Sequence, residues 1–477
     1  MTALSLKEYI VNPAAKDSDL AAAFQAYERG GGVEVVRPGT PRYHSARRVW
    51  NGMVDRRPAL IVRPRTVSAI QTGIRLASDH GLTLAIRGGG HNVAGTSTCD
   101  GGLVLDLGRL NTVHVDSSAR VARAQGGTTW GQFDMATGAL GLAATGGMIS
   151  TTGIAGLTLG GGVGWLMRAY GLACDNLLHA TVATIRDGLV TASPTRHPEL
   201  FRALRGGGGN FGVVTELAYR LHPVGDVLGG YVLHPIERMH EVLEFYDRFC
   251  RTAPDGITTI AAVTTMPALS PIPPELWNRP SVLVGLCALG AEAEQDQLAA
   301  RLRQFGPPVV DLVHRMPYPA LQSLLDAGSP PGLRNYWKSA YTKTLTPRLI
   351  HALTTHGVQT PPARSQLFIH QLGGAVARAQ REETTVSHRQ AGYLINISGA
   401  WSDPADDDRN IAWVRNLMEK IEPDLVGSYV NYLSDTGADE VAAAYDADTR
   451  ATLAKAKARW DPDNLFRLNH NIIPALG

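Results

Sequence analysis

The sequence predicts an α+β protein of two domains, on three observations. The chain has 477 residues, too many for one ordinary core. Many of its 51 glycines gather in clusters that end before residue 225. From about residue 226, β-rich runs alternate with helical stretches and Pro-rich loops, the pattern of a largely antiparallel sheet flanked by helices. These observations divide the chain into residues 1–225, 226–426 and a final segment, 427–477.

The first domain opens as strand, helix, strand. PALIVRP (58–64) is β-rich, Thr66 can cap a helix whose apolar positions Val67, Ile70, Ile74 and Ala77 recur at helical spacing, and Gly81 ends it. LTLAI (82–86) follows and runs into Arg87-Gly88-Gly89-Gly90-His91-Asn92, so a glycine turn sits at a strand end, where α/β units habitually hold ligands. A helix is predicted from Thr129 to Leu140. The stretch 141–177 is too rich in glycine for regular structure and too apolar for a disordered linker. Backbone must pass very close to something there. A hairpin around Asp187-Gly188, a short helix in PELFRALRG and a strand in GVVTELAYRL complete the domain.

In the second domain, GGYVLHP, TTIAAVTT, SVLVGLCAL, SQLFIHQLG and GYLINISGAW read as strands. In the last segment, EVAAAYDADTRATLAKAKARW reads as one helix, followed by the DPDN turn and FRLNHNI.

Composition narrows the partners. Forty-five basic against 43 acidic side chains, with no long run of either sign, leave no electrostatic footprint for nucleic acid or an anionic membrane, so a small molecule is the expected partner. Cys99, Cys174, Cys250 and Cys287 are far apart and show no metal or CxxC spacing, which reads as reduced thiols in a cytoplasmic protein. The first twenty residues fit neither a secretory nor a transit leader, and no uncharged apolar stretch is long enough to span a membrane.

No GxGxxG stands at a strand-to-helix junction and no GxxxxGK[ST] occurs, which disfavours ordinary nicotinamide or NTP binding. Three glycine turns remain, each presenting unhindered N–H groups able to grip a pyrophosphate or the polar edge of a flavin; tight turns in a packed sheet would look the same.

Four ordered motifs carry a resemblance: RGGGHN with Gly95, STTGIAGLTLGGGVGWLMRAYGLACDN, RGGGGNFGVVTE and the terminal DPDNLFRLNHNIIP. Together they resemble the berberine-bridge-enzyme-like oxidoreductases of the vanillyl-alcohol-oxidase flavoprotein superfamily, among which the bacterial 6-hydroxynicotine oxidases look nearest. The resemblance implies a two-domain flavoprotein: an FAD-binding α+β domain, a substrate domain, and a C-terminal segment, 427–477, returning to the first. It implies that His91 bonds covalently to the 8α-methyl carbon of FAD, and that Arg87, Gly88, Gly89, Gly90, Asn92 and Gly95 enclose the pyrophosphate and ribityl chain. Gly146, Thr151, Thr152, Gly153, Gly156, Gly160, Gly161, Gly162 and Gly164 match the second cofactor wall. Gly212, Val213 and Val214 match a backbone contact near the adenine or ribityl portion, and Asn469 and Asn471 match a returning C-terminal strand. Many relatives add a cysteine bond to flavin C6; Ile149 stands at that position here, so a single covalent bond is expected, with Cys174 a small buried residue.

The family's base lies on a substrate-domain strand that corresponds to Gln366–Gln371. Alternation puts Gln366, Phe368 and His370 on one face, and His370 is the titratable group there. Tyr429-Val430-Asn431-Tyr432 resembles the family's YxNY strand, which makes Tyr429 a second candidate base and Asn431 its companion. Trp337, Tyr341 and Trp401 are candidate pocket aromatics, although scattered aromatics are more often core. The resemblance implies an oxidase that takes a proton from an O–H or N–H and hydride from the adjacent carbon of a small organic substrate, with O2 reduced to hydrogen peroxide. A dehydrogenase or oxidative cyclase of secondary metabolism, or a flavin-binding protein without catalysis, fits the same residues.

Overall fold

The computed structural model describes residues 22–476 except 267, 269–271 and 358–363. Residues 1–21, on which the reading against a leader rests, lie outside the described residues.

A four-stranded sheet runs in the order Val33–Val36, Leu60–Pro64, Leu103–Asp106, Leu84–Arg87. Thr66 caps the helix Val67–Asp79 as predicted, its hydroxyl accepting from the Ala69 N–H. The two strands joined by that helix are not neighbours. Leu103–Asp106 slots between them, parallel to both, a pairing that local sequence does not encode. A five-stranded antiparallel sheet follows, containing the hairpin Leu177–Ala183/Leu189–Ala192 with Val213–Arg220 beside it. The helix Trp130–Gly138 starts in a capping box between Thr129 and Gln132 and buries Trp130 and Phe133 against this sheet.

The second half is one antiparallel sheet whose principal path is Val310–Asp311, Asp226–Pro235, Pro280–Ala288, Ile257–Thr265, Gln366–Gln371, Tyr393–Trp401 and Arg334–Thr342. One face is covered by helices Met239–Arg251, Glu292–Arg303, Pro347–His356 and Asp407–Ile421, whose Leu243, Leu302, Leu353 and Leu417 share a core with Leu367, Ile369 and Ile395. The other face is left for the site.

The terminal segment packs back on the first half: Leu453, Ala456 and Trp460 share a core with Phe201, Phe211 and Leu217. The single helix expected there is two, Ala438–Ala444 and Ala447–Trp460, because Asp446 accepts from the Thr449 N–H and starts a new helix instead of continuing the old one. The residues around Tyr429 are likewise not a strand: Val430–Tyr432 is a 3-10 turn closed by the Tyr432 N–H on the Tyr429 carbonyl. Residues 467–473, expected to include a strand, are irregular.

Candidate active site

Between the glycine-rich segments and the free face of the large sheet lies a cavity of about 990 Å3. Its first wall is backbone. The loop 88–92 leaves strand Leu84–Arg87 and lies directly on the 151–153 turn: a methyl group on Gly89 would fall 2.3 Å from the Gly153 nitrogen. At Gly156 and Gly209 the opposite holds. A methyl group there meets no protein atom within 4 Å, and both positions line the cavity, so the bare backbone faces space that protein does not fill.

His91 stands at the junction. Its Nε2 is 2.8 Å from the Thr151 hydroxyl, and its ring stacks on Trp50 with centroids 5.1 Å apart. Burial pulls its pKa down to about 4, against the opposing charge of Asp326, so the imidazole is neutral near pH 7. Trp50 is held by its neighbour Asn51, whose side chain bonds the Val93 carbonyl and both backbone groups of Asn335, tying the His91 loop to the large sheet.

The opposite wall follows the predicted alternation. Leu367 and Ile369 enter the core, while Gln366, Phe368 and His370 face the cavity. The register sets Asn396 beside Phe368 and Ser398 beside Gln366, and both line the same wall. Gln366 donates to the Thr264 hydroxyl at 3.1 Å. His370 is 3% exposed with neither ring nitrogen hydrogen-bonded, and the Asn396 amide oxygen is also unpartnered. Burial draws the His370 pKa down to about 4.

Tyr429 lies behind this wall. Its oxygen accepts from Gly162 N (2.9 Å), Val163 N (3.3 Å) and Asn431 Nδ2 (2.9 Å), and burial pushes its pKa up to about 12. Asn431 also donates to the Leu157 carbonyl and reaches the cavity together with Tyr432. Asn210 fastens the other end: it donates to the His470 carbonyl and accepts from the Ile472 N–H, so Asn469 and His470 sit on the cavity rim.

Of the residues singled out from sequence, Gly88, Gly89, Gly90, His91, Asn92, Thr152, Gly153, Gly156, Gly160, Gly212, Val214, Gln366, His370, Asn431 and Asn469 line the cavity. Others do not. The Arg87 side chain turns away to the Ser97 and Ala46 carbonyls near Asp106, Gly95 packs on Val54, and Val213 belongs to the core under the first helix. Gly146 and Gly164 press on one another behind the wall, Gly161 and Gly162 pack around Tyr429 and Ala173, Thr151 reaches the site through His91, and Asn471 is half-buried with its amide oxygen unpartnered. Trp337 lines the cavity, whereas Tyr341 is core beside Tyr429 and Trp401 is core with its indole on Asp407. Cys174 is a buried free thiol, as expected. Sequence reasoning missed Trp50, Asn396, Tyr432 and Asn210. Alternation along 393–401 could have found Asn396; the others depend on long-range contacts.

Residues 58–193 match the model of an FAD binding domain, and residues 428–473 match that of berberine and berberine-like proteins. The (R)-6-hydroxynicotine oxidase of Paenarthrobacter nicotinovorans is 30% identical, over 92% of this chain and 96% of its own. The chain belongs to the berberine-bridge-enzyme-like FAD-linked oxidoreductases. The crystal structure of 6-hydroxy-D-nicotine oxidase from Arthrobacter nicotinovorans superposes with a TM-score of 0.83 at 29% identity, covering 93% of this chain and 98% of that one. Glucooligosaccharide oxidase of Acremonium strictum, described with a 6-S-cysteinyl, 8α-N1-histidyl FAD, shares the fold at a TM-score of 0.84 and 21% identity, over 97% of this chain and all of its own.

This family member is an FAD-binding oxidoreductase, and its cavity suits the cofactor. The side-chain-free wall at Gly156 and Gly209 leaves room for a nucleotide to lie on backbone, and Ile149 lines the same cavity. Among the described residues no helix is long and apolar enough to cross a membrane.

Proposed function

We propose that this chain is an FAD-linked oxidase acting on a C–H beside an O–H or N–H of a small organic substrate, with residues 1–225 and 427–477 holding the cofactor and 226–426 shaping the substrate side. When bound, FAD supplies the hydride acceptor, and its reoxidation by O2 gives hydrogen peroxide. The loops around Gly88–Asn92, Gly153–Gly160 and Gly207–Gly212, with Asn469, would hold it.

His91 makes the single covalent attachment. Thr151 engages Nε2 and Trp50 fixes the ring plane, which leaves Nδ1 of a neutral imidazole as the bonding atom. Ile149 offers no second bond. On the substrate side His370 accepts the substrate proton at a ring nitrogen. Burial keeps the imidazole neutral near pH 7, with a ring nitrogen free to accept the proton. Gln366, held by Thr264, and Asn431 orient the substrate beside it. Tyr429 acts on the backbone instead, holding Gly162 and Val163 in place.

The observation that carries this reading is His370: a buried imidazole with both nitrogens free, across the cavity from a glycine wall. The test begins on a denaturing gel, where acid-treated protein should give a fluorescent band that disappears in His91→Ala. Free flavin in the supernatant of the wild type defeats the linkage. Stopped-flow mixing of the reduced protein with oxygenated buffer should reoxidise it rapidly, and slow reoxidation defeats the oxidase.

A further inference from the structure

Apart from the cofactor cavity, the first domain holds a smaller one of about 260 Å3 against its four-stranded sheet. Alternation along strand Leu84–Arg87 turns Leu84 and Ile86 to the cofactor side and Arg87 to this one. Register lines up one charged residue from each strand, in the order Glu34, Arg63, Asp106 and Arg87 across the sheet. Arg42 and Arg48 join the row from the segment that packs on this face through Tyr43.

Positive charge is in excess there. Among the described residues four guanidiniums line the cavity against two carboxylates, and both carboxylates are engaged. Glu34 accepts from Arg42 at 2.6 Å and from Arg109, a fifth guanidinium, at 2.8 and 3.1 Å. Asp106 accepts from the Gly108 N–H at 3.0 Å and lies 3.3 Å from Arg63 Nε. Arg87 decides the reading. Its side chain is 8% exposed, its Nε and Nη1 donate to the Ser97 and Ala46 carbonyls, and its Nη2 is buried with no partner. A buried donor left unpaired is costly, so a guanidinium in that state beside a cavity marks where an acceptor enters. The surplus of positive charge makes that acceptor an anion. Guanidiniums that converge from separate segments suit an anion with oxygens on every side, a tetrahedral phosphate, better than a planar carboxylate with one edge to offer.

We propose that this cavity binds a phosphate group, free or at the end of a phosphomonoester, with Arg87 Nη2 and the guanidiniums of Arg63, Arg42 and Arg48 as its donors. The site is separate from the cofactor cavity and does not rest on the oxidase reading.

The experiment titrates the holoenzyme with inorganic phosphate, methyl phosphate and acetate by calorimetry, at an ionic strength held constant with NaCl. Phosphate should bind about 10-fold more tightly than acetate, and by mass action it should raise the melting midpoint. Methyl phosphate binding more tightly than phosphate assigns the site to phosphomonoesters, and equal or weaker binding assigns it to free phosphate; both uphold it. Arg48 is exposed at the rim, so Arg48→Gln should keep the wild-type midpoint in phosphate-free buffer and bind phosphate about 10-fold more weakly. Arg87→Lys keeps the charge without the fork and should weaken phosphate to a similar degree. Arg75→Gln removes the same charge from helix Val67–Asp79, outside this cavity, and should leave the affinity unchanged. Phosphate held no more tightly than acetate, a midpoint that phosphate does not move, wild-type affinity in Arg48→Gln, or equal weakening in Arg75→Gln would overturn the assignment.

Discussion

Gly89 and Gly153 touch backbone to backbone: a methyl group on either would lie 2.3 Å from the other's amide nitrogen. Gly153 is further tied to Thr129, its partner in an isolated β-bridge, so neither loop has slack to yield. This contact joins two of the glycine turns that the sequence displays far apart.

Gly153→Ala should therefore force the two loops apart. Overpacking of this kind costs about 1–3 kcal/mol, and the His91 loop takes up the displacement. Chemical denaturation should show the loss, and covalent flavin incorporation, scored by gel fluorescence, should fall with it. Gly156→Ala, where a methyl meets no protein atom, should keep wild-type stability without cofactor and lose only cofactor incorporation. Equal destabilisation of both variants would contradict the distinction.

The DPDN turn is built on Lys457, whose fully buried ammonium bonds Asp461 at 2.7 Å and the carbonyls of Asn210 and Phe466. Lys457→Met should leave Asp461 charged and uncompensated, at a cost of about 3–5 kcal/mol. Because Asn210 belongs to the third glycine turn, hydrogen exchange should speed up in residues 206–212 as well as in the terminal segment. Loss confined to the terminal segment would show that the clamp does not reach the turn.

Stability should depend on pH through two opposed sets of groups. Burial pulls His91, His222, His234 and His370 down to about 4, so the unfolded chain, with histidines near ~6.5, binds more protons in between, and stability falls as pH drops through that window. Asp134 runs the other way. Burial, only partly offset by Gln322, lifts it to about 7, so its stabilisation is complete below the unfolded value of ~3.9 and is lost as pH rises through about 7. Thermal melts should show the wild type losing stability from pH 6.5 to 4. Asp134→Asn should melt progressively higher than the wild type as pH rises from 4 to 8; a constant offset would count against the assignment.

Local pattern was enough for what local pattern encodes. The helix capped by Thr66, the hairpin at Asp187-Gly188 and the outward face of Gln366, Phe368 and His370 all follow from capping, turn chemistry and alternation. Long-range pairing was hidden. Strand Leu103–Asp106 enters between two strands that are joined by a helix, and Arg334–Thr342 carries Arg334 and Lys338 in its run because Asp407, Asp435 and Glu440 from later segments neutralise them. The site shows the same split. His91 is legible from its loop, whereas Trp50, which stacks on it, is placed by the contacts of Asn51 to strand Arg334–Thr342.

Tyr429 gives the sharpest test of role. A catalytic base needs a free face toward substrate, yet this phenol oxygen is 2.9 Å from both Gly162 N and Asn431 Nδ2 and 3.3 Å from Val163 N, on a side chain that does not line the cavity. Tyr429→Phe removes the acceptor and leaves these donors without it, so it should cost about 1–3 kcal/mol in unfolding free energy and shift the flavin absorbance as the 160–164 backbone relaxes. On the proposal that His370 and not the phenol takes the substrate proton, the acid limb of the kcat/KM profile should keep its position in Tyr429→Phe, whereas His370→Gln should abolish that limb. A Tyr429→Phe enzyme with wild-type stability and a lost or displaced limb would reverse the two roles.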